Sequence, residues 1–211
     1  MIVQNKSELA PTGRDLGRLV FEASRRAEAM GLIDPIEPAG SDAHAHGDLK
    51  AIRHLANQVR KAGVATAAAA ALNNVETPTR HELTALLQTL IAALEASPVP
   101  KFEWGGLGRV LDADELGLLL NVSLSSLKRY QSGERTTPDG IAARLHFLAL
   151  VVGDLAGSYN DIGIRRWFHR KRTQLDGRAP ADLLKGEWDP DAAGPARVRA
   201  LARDLVTFSA T

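Results

Sequence analysis

The chain has 211 residues, no cysteine and an almost balanced charge, with 26 Lys and Arg residues against 25 Asp and Glu residues. This length is sufficient for one or two domains with buried cores. The absence of cysteine excludes disulfides and thiolate metal sites and favours a reducing compartment, so we expect a cytoplasmic protein. Because the overall charge is balanced, any contact with nucleic acid must come from a local basic surface.

The composition also bears on membranes and on the class of fold. Residues 1–15 carry charges where a signal peptide would be apolar, which argues against export. The longest apolar run, residues 145–155, is too short to span a membrane, so we expect no membrane contact. Alanine and leucine are abundant, and strong β-branched runs are missing. The sequence therefore predicts an all-α fold.

Residues 1–98 predict an N-terminal helical domain whose role the sequence does not indicate. Apolar side chains recur at helical spacing over residues 14–30, and again from residue 49 to residue 59, with the alanine-rich run at 65–71 interpreted as a continuation of that second helix. The third helix begins at a capping box formed by Thr79 and Glu82. Its leucine stripe is barely two heptads long, so it fits a domain core better than a dimer seam.

A polar loop at residues 34–47 carries His44 and His46, with Asp42 and Asp48 close by. In an extended backbone these side chains would share one face, as metal ligands must. No third ligand or neighbouring strand is evident, so we predict no metal site. The sequence shows no Ser-His-Asp or Cys-His arrangement and no phosphate-binding glycine loop either. We therefore predict no enzyme and no cofactor, and a metal-dependent enzyme is the weakest of three alternatives.

Residues 112–138, after prolines that end the first domain, predict two helices joined by a tight turn. Asp112 can cap the first helix, and Glu115 can complete a capping box with it. Gly117 allows the second helix to pass close, and Asn121 falls at a turn that needs a positive φ. Ser123 can cap the second helix. The apolar residues expected to hold the two helices from behind are Leu116, Leu120, Val122, Leu127 and Tyr130.

The outer face of the second helix is short, polar and basic, with no carboxylate before Glu134. Such a face can enter the major groove of DNA without repelling phosphate. The alternative is an ordinary helical hairpin with a solvated polar face. The residues that we predict to contact DNA are Ser123, Ser125, Ser126, Lys128, Arg129 and Arg135.

The run NVSLSSLKRYQSGER resembles the Xre-like helix-turn-helix of bacterial repressors, through the pattern V-S-x-x-S-L-x-R-Y-x-x-G-x-R. It departs from that family at Asn121, where glycine is more frequent. The resemblance implies a helix-turn-helix unit over residues 99–155 that binds double-stranded operator DNA. We expect a homodimer, because one short helix reads too few base pairs for useful specificity.

Residues 164–178 carry a net charge of +5, from six Lys and Arg residues and Asp176 alone. This basic segment could hold the phosphate backbone beside the helix-turn-helix, or dock on an acidic partner surface. A third possibility is a solvated helix, with Trp167 and Phe168 in the core, and for these two aromatic residues we predict the core. The arginines assigned to partner binding are Arg165, Arg166, Arg170, Arg172 and Arg178.

The spacing Leu175-x-Gly177-x-x-Pro180-x-x-Leu183-Leu184 is similar to that of the toxin-binding domain of Xre/MbcA/ParS-type antitoxins. The order of an Xre-like helix-turn-helix followed by this domain, here residues 156–211, is also that of the family. The resemblance implies an antitoxin that neutralises a NAD-consuming RES-type toxin and represses its own operon. Residues 1–98 have no counterpart in the short antitoxins, so the alternative is a stand-alone helix-turn-helix regulator.

Overall fold

A computed structural model of the chain describes residues 13–34 and 49–208, and it describes the side chains of residues 15–34 and 49–205. The described part is all-α, as predicted, and contains no strand. His44, His46, Asp42 and Asp48 lie outside the described residues. The helices are α1 (Gly13–Ala29), α2 (Leu49–Lys61), α3 (Thr66–Asn74), α4 (Arg80–Ala96), α5 (Pro100–Val110), α6 (Ala113–Leu120), α7 (Leu124–Gln131), α8 (Asp139–Leu155), α9 (Asp161–His169), α10 (Pro180–Leu183) and α11 (Ala193–Phe208), with a 3₁₀ turn at Thr173–Leu175.

Helix α8 is the centre of the fold. Every residue from 145 to 155 is buried, including His146 and Asp154, as expected for a helix that other helices cover on all sides. α1, α5 and α11 pack directly against it, and α6 contacts it near the site described below. The longest apolar run of the sequence is therefore the core helix around which the other helices are arranged.

The N-terminal helices share one hydrophobic core with the rest of the described chain. A continuous cluster of buried apolar side chains extends from Leu16 to Ala202. α1 packs against both α4 and α8, and Gly153 allows the approach to α8, since a Cβ there would lie 3.1 Å from the Cα of Arg26. The boundaries predicted at residues 98/99 and 155/156 mark turns between helices, and within the described residues the core is continuous across both.

Helix α3 is a separate helix and not a continuation of α2, so this prediction was wrong. Gly63 and Ala65 both adopt positive φ, 82° and 50°, and together they reverse the chain. Asn57 of α2 and Asn73 of α3 exchange side-chain hydrogen bonds of 3.3 and 3.0 Å. Alanine favours a helix without indicating where that helix breaks, which is why the composition predicted the helix but missed the reversal.

Helix α4 begins as the sequence predicts. The Thr79 hydroxyl accepts a hydrogen bond from the Glu82 amide at 3.3 Å, and the Glu82 carboxylate accepts one from the Thr79 amide at 2.7 Å. The leucines at 83, 87, 90 and 94 are buried within the chain, so the stripe belongs to the core. In the described residues no single helix has the length and apolarity to cross a membrane; α4 and α5 reach them only as a pair, with a 90° bend between them.

A buried ionic cluster joins four helices that are far apart in sequence. Arg26 of α1 is 3% exposed and lies 3.5 Å from Asp154 of α8 and 3.2 Å from Glu95 of α4. Asp154 also accepts a 2.6 Å hydrogen bond from Arg199 of α11. Arg203, one turn further along α11, pairs with Glu95. These five residues are called the ionic cluster below, and Glu22 of α1 adds a third carboxylate at 2.7 Å from Arg26.

The ionic cluster shifts the pKa of Glu95 and that of Arg199. Burial acts to raise the pKa of Glu95, but the neighbouring charges of Arg26, Arg203 and Arg199 outweigh it and hold that pKa below its ordinary value. Burial lowers the pKa of Arg199, against the opposing effect of Asp154. The cluster therefore favours an ionised Glu95 at neutral pH, and its ion pairs join α1 and α11 to α8.

Candidate nucleic-acid interface

Helices α6 and α7 form a helix-turn-helix whose ends are set by local contacts. The Asp112 carboxylate accepts a hydrogen bond from the Glu115 amide at 2.9 Å, and the Ser123 hydroxyl accepts one from the Ser126 amide at 3.3 Å. Between the helices Asn121 has φ 55°, the left-handed conformation that asparagine tolerates better than most residues. Both caps and the turn residue are those predicted from the sequence.

Glu115 does not complete the predicted capping box, so that detail was wrong. Its carboxylate lies 2.9 Å from Nε2 of His169, at the end of α9. Glu115 is half-buried, and an imidazole that arrives from another helix is a better-placed partner than the backbone one turn earlier. The contact joins the start of α6 to the basic segment, residues 164–178, at the end of α9.

The back of the helix-turn-helix is closely packed. A Cβ at Gly117 would lie 3.0 Å from the carbonyl oxygen of Val122, so a side chain there would push the turn away. Leu127 is fully buried, and Tyr130 stacks on Trp104 of α5, with ring centroids 6.0 Å apart and an angle of 15° between the planes. The Trp104 indole also donates a 2.9 Å hydrogen bond to Thr137. α7 is therefore held from behind by both α6 and α5.

The outer face of α7 is exposed, as the sequence predicts. Ser125, Lys128 and Arg129 are exposed and lie at three- and four-residue spacing on one side of the helix. Arg129 is 58% exposed, and its Nε lies 4.0 Å from the Glu134 carboxylate, which is 70% exposed. An ion pair so open to solvent is weak and leaves the guanidinium free to exchange partners.

The other three predicted contact residues are more constrained. Ser123 and Ser126 are hydrogen-bonded to one another through their hydroxyls at 3.1 Å, because Ser123 is the helix cap, and Ser126 is half-buried. Arg135 is exposed, with its guanidinium 5.5 Å from the centre of the Tyr130 ring. Ser125, Lys128 and Arg129 are consequently the side chains best placed to reach a ligand in front of α7.

The charge around this face is mixed. Asp112 and Asp114 are exposed at the start of α6, where they would repel phosphate. Arg170 and Lys171, also exposed, directly follow His169, which is bonded to Glu115. The basic end of α9 therefore lies beside the acidic start of α6 and offsets part of its charge.

A C-terminal tryptophan fastens the end of α6, a contact that the sequence did not indicate. The indole of Trp188 is buried and donates a 2.8 Å hydrogen bond to the carbonyl of Leu119. Arg144 of α8 donates a 2.7 Å hydrogen bond to the Trp188 carbonyl and lies over its ring, 5.7 Å from the centroid. Phe147 meets the same ring edge-on at 5.2 Å. The only sequence signal was a lone tryptophan in a polar stretch.

The five arginines predicted to bind a partner divide into two groups. Arg165 is half-buried and donates a 2.6 Å hydrogen bond to the carbonyl of Val110, at the end of α5. Arg172 is also half-buried and packs over the Trp167 ring at 5.5 Å. Both therefore support the fold. The arginines that remain exposed are Arg166, Arg170 and Arg178.

The aromatic residues of the basic segment belong to the core, as predicted. Trp167 is 1% exposed, Phe168 is fully buried, and their rings meet edge-on at 5.4 Å. The following turn passes through Asp176 and Gly177, at φ 57° and 75°, before Pro180 begins α10. The Arg197 guanidinium bonds Asp176 at 2.8 Å and holds the pKa of that carboxyl below its usual value. A partner can therefore reach only the charged rim of this segment.

Within the described residues there is no group of three or more His, Cys, Asp or Glu side chains that could hold a metal ion. The comparisons with known proteins found no match for this chain among family models, curated proteins or solved structures. A functional assignment therefore depends on the geometry of α6 and α7 and on the residues around them.

Proposed function

We propose that this chain binds double-stranded DNA by placing α7 in the major groove, and that it acts as a transcriptional repressor. One observation carries the proposal: α7 has Leu127 and Tyr130 buried on one side, and Ser125, Lys128 and Arg129 exposed on the other. A helix held in this way can present its outer side to base edges without unfolding any other part of the chain.

The size and chemistry of the outer face suit this role. α7 has eight residues, and its first turn carries serines, which are small enough to let the helix approach the floor of the groove. Lys128 and Arg129 follow one turn later, where they can contact guanine or phosphate. One helix of this length contacts few base pairs, so the chain binds as a homodimer at two half-sites.

Removal of the two basic side chains tests the proposal. The variant Lys128→Ala/Arg129→Ala should lose specific binding to duplex DNA selected by the native chain. Each phosphate contact contributes about 0.9 to the slope of log affinity against log salt, and the homodimer loses four basic side chains, so the slope of any residual binding should fall by up to about 3.6. Fluorescence anisotropy over a series of salt concentrations measures both quantities.

A matched control removes the same charge elsewhere. Arg60 and Lys61 are adjacent, exposed and at the end of a helix, α2, on the N-terminal part of the chain. Arg60→Ala/Lys61→Ala should keep its DNA affinity within about twofold, an effect of roughly 0.4 kcal/mol. Equal losses of DNA affinity in the two double variants would indicate a general charge effect. Undiminished binding by Lys128→Ala/Arg129→Ala would show that α7 is not the recognition helix.

A toxin partner is the second part of the proposal, and it makes the repressor an antitoxin. Its support is the exposed Arg166 and Arg170, four residues apart on one side of α9 and its end, which could pair with an acidic surface of a RES-type toxin. The buried Trp167 and Phe168 are unavailable as anchors, so such an interface would be largely electrostatic.

Charge reversal separates the two uses of this segment. Arg166→Glu/Arg170→Glu should abolish co-purification with the product of the neighbouring gene, while DNA affinity falls only modestly. If the native chain forms no such complex, the stand-alone regulator is the better description. A large loss of DNA affinity in the same variant would instead assign these arginines to the phosphate backbone.

A further inference from the structure

The described chain exposes only four large apolar side chains, and two of them lie together on the helix-turn-helix. Leu118 of α6 is 48% exposed and Leu124 of α7 is 44% exposed; the others are Phe21 and Ile162. Both leucines line one open cleft with Gly117, Asn121 and Val122. The two leucines place an apolar surface beside a polar, basic helix face, so a ligand in front of α7 can meet apolar atoms as well as charges.

Leu124 is held in place on one side and open on the other. It is the first residue of α7, and one of its methyl groups would lie 3.6 Å from a Cβ placed at Gly117, so it packs closely over that glycine. Its neighbours Ser123 and Ser125 are small. The leucine therefore projects beyond them, next to the face that carries Lys128.

The charges of the cleft do not favour a phosphate group. One acidic and one basic side chain, Asp114 and Lys185, line it together, so they offset one another. The apolar atoms are its distinguishing property. In the major groove the apolar feature of a base pair is the C5-methyl group of thymine, and the first turn of a recognition helix is the part that contacts base edges.

We propose that Leu124 contacts the C5-methyl group of a thymine and so makes this thymine part of the recognised sequence. The inference rests on the proposed DNA binding by α7. A protein segment is a less suitable occupant, because the cleft adjoins the first turn of α7, the part of the proposed recognition helix that faces base edges.

Replacement of thymine by deoxyuridine tests the contact, since it removes the methyl group and leaves base pairing unchanged. The full-length chain is first used to select duplexes from a randomised pool, and each thymine of the preferred duplex is then replaced in turn. At the contacted position the native chain should lose about fourfold in affinity, equivalent to about 0.8 kcal/mol for one buried methyl group. Leu124→Ala and Leu124→Gln should bind the thymine and deoxyuridine duplexes equally.

Ile162→Ala provides the matched control, because Ile162 is 53% exposed and lies in the first turn of α9, outside the helix-turn-helix. This variant should retain the fourfold preference. If the native chain selects no duplex, the proposed function and this contact fall together. If it selects one but no thymine shows the preference, or if the preference persists in both Leu124 variants, the contact is overturned and DNA binding stands.

Discussion

The helix-turn-helix and the ionic cluster are held together by opposite kinds of contact. In the first, caps join residues three positions apart, Asp112 to Glu115 and Ser123 to Ser126. In the second, Arg26 meets Asp154 across 128 residues and Arg199 meets Glu95 across 104. The first is a local structure that presents a surface. The second fixes the relative positions of helices that lie far apart in sequence.

The difference has an energetic consequence. Each cap contributes about 1 kcal/mol, and its loss affects mainly one helix end. A buried charge that loses its partner keeps its cost of desolvation, so the ionic cluster is strongly sensitive to the removal of a buried member such as Asp154. Substitutions in the helix-turn-helix should therefore have little effect on folding, although they should affect binding. Substitutions in the ionic cluster should impair folding.

Asp154→Ala is the change with the largest expected effect. It removes the buried carboxylate that Arg26 and Arg199 share and leaves Glu95, which is more exposed, as their common partner. We expect a loss of about 3 kcal/mol in the free energy of unfolding, the lower end for a broken buried ion pair. Chemical denaturation followed by circular dichroism measures it. Asp204→Ala is the control, because Asp204 is exposed on α11 and should change stability by no more than about 0.5 kcal/mol. Similar values for both variants would contradict the role assigned to the cluster.

Trp188→Phe should have the next largest effect, because it joins the two regions. Phenylalanine keeps the ring beside Phe147 but cannot donate to the Leu119 carbonyl, and an unsatisfied buried carbonyl costs about 1–3 kcal/mol. Hydrogen exchange should accelerate in α6 more than in α2. Uniform acceleration, or none, would show that the C-terminal segment does not hold the helix-turn-helix in position.

Ser123→Ala removes a helix cap and should cost about 1 kcal/mol of stability. The neighbouring Ser125 gives a close comparison, since it is exposed and its hydroxyl contacts the Ser123 hydroxyl, at 3.1 Å, rather than a backbone amide of the helix end. Ser125→Ala should change stability by less than about 0.5 kcal/mol but weaken DNA binding. If the two variants behave alike in both measurements, the separation between capping and contact residues on α7 is wrong.

The same division explains how much the sequence could predict. The capping box at Thr79, the left-handed Asn121 and the buried Leu127 all follow from residues within a few positions of one another, and the structure has each of them. The partners of Trp188 and Arg165 could not be foreseen, because they are backbone carbonyls 69 and 55 residues away. Spacing along the chain carries no information about which helix ends meet in space.

The ionic cluster was missed for a related reason. Arg26 occurs on a helix whose apolar periodicity was clear, and an arginine beside that stripe is expected to be solvated. Its burial becomes understandable only when two other helices supply the carboxylates of Glu95 and Asp154. The opposite error was made for Arg165, which was predicted to bind a partner because it belongs to a basic run. Its guanidinium instead donates a hydrogen bond to the Val110 carbonyl at the end of α5.

Acid should weaken the ionic cluster by neutralising Glu95. The pKa of Glu95 is lowered in the folded chain, so its contribution to stability is complete above its unfolded pKa of about 4.3 and is lost as the pH falls through the folded value. Glu95→Gln should therefore reduce the stability difference between pH 7 and pH 3. An unchanged difference would show that the carboxylate does not stabilise the fold through its charge.

The smallest effect concerns Glu134, the carboxylate that pairs with Arg129 on the exposed face of α7. Glu134 lies 4.0 Å from Arg129, and both side chains are largely exposed, so Glu134→Gln should leave the free energy of unfolding within about 0.5 kcal/mol of the native value. DNA affinity should rise by about twofold at low salt, roughly 0.4 kcal/mol, because a negative charge near the phosphate backbone is removed and Arg129 loses a competing partner. The gain should shrink as salt screens the charge.

Glu76→Gln, an exposed position before α4, is the control and should leave affinity unchanged. A fall in affinity would mean that Glu134 itself accepts a hydrogen bond from the DNA. DNA binding by the helix-turn-helix would then depend on more than its positive charge.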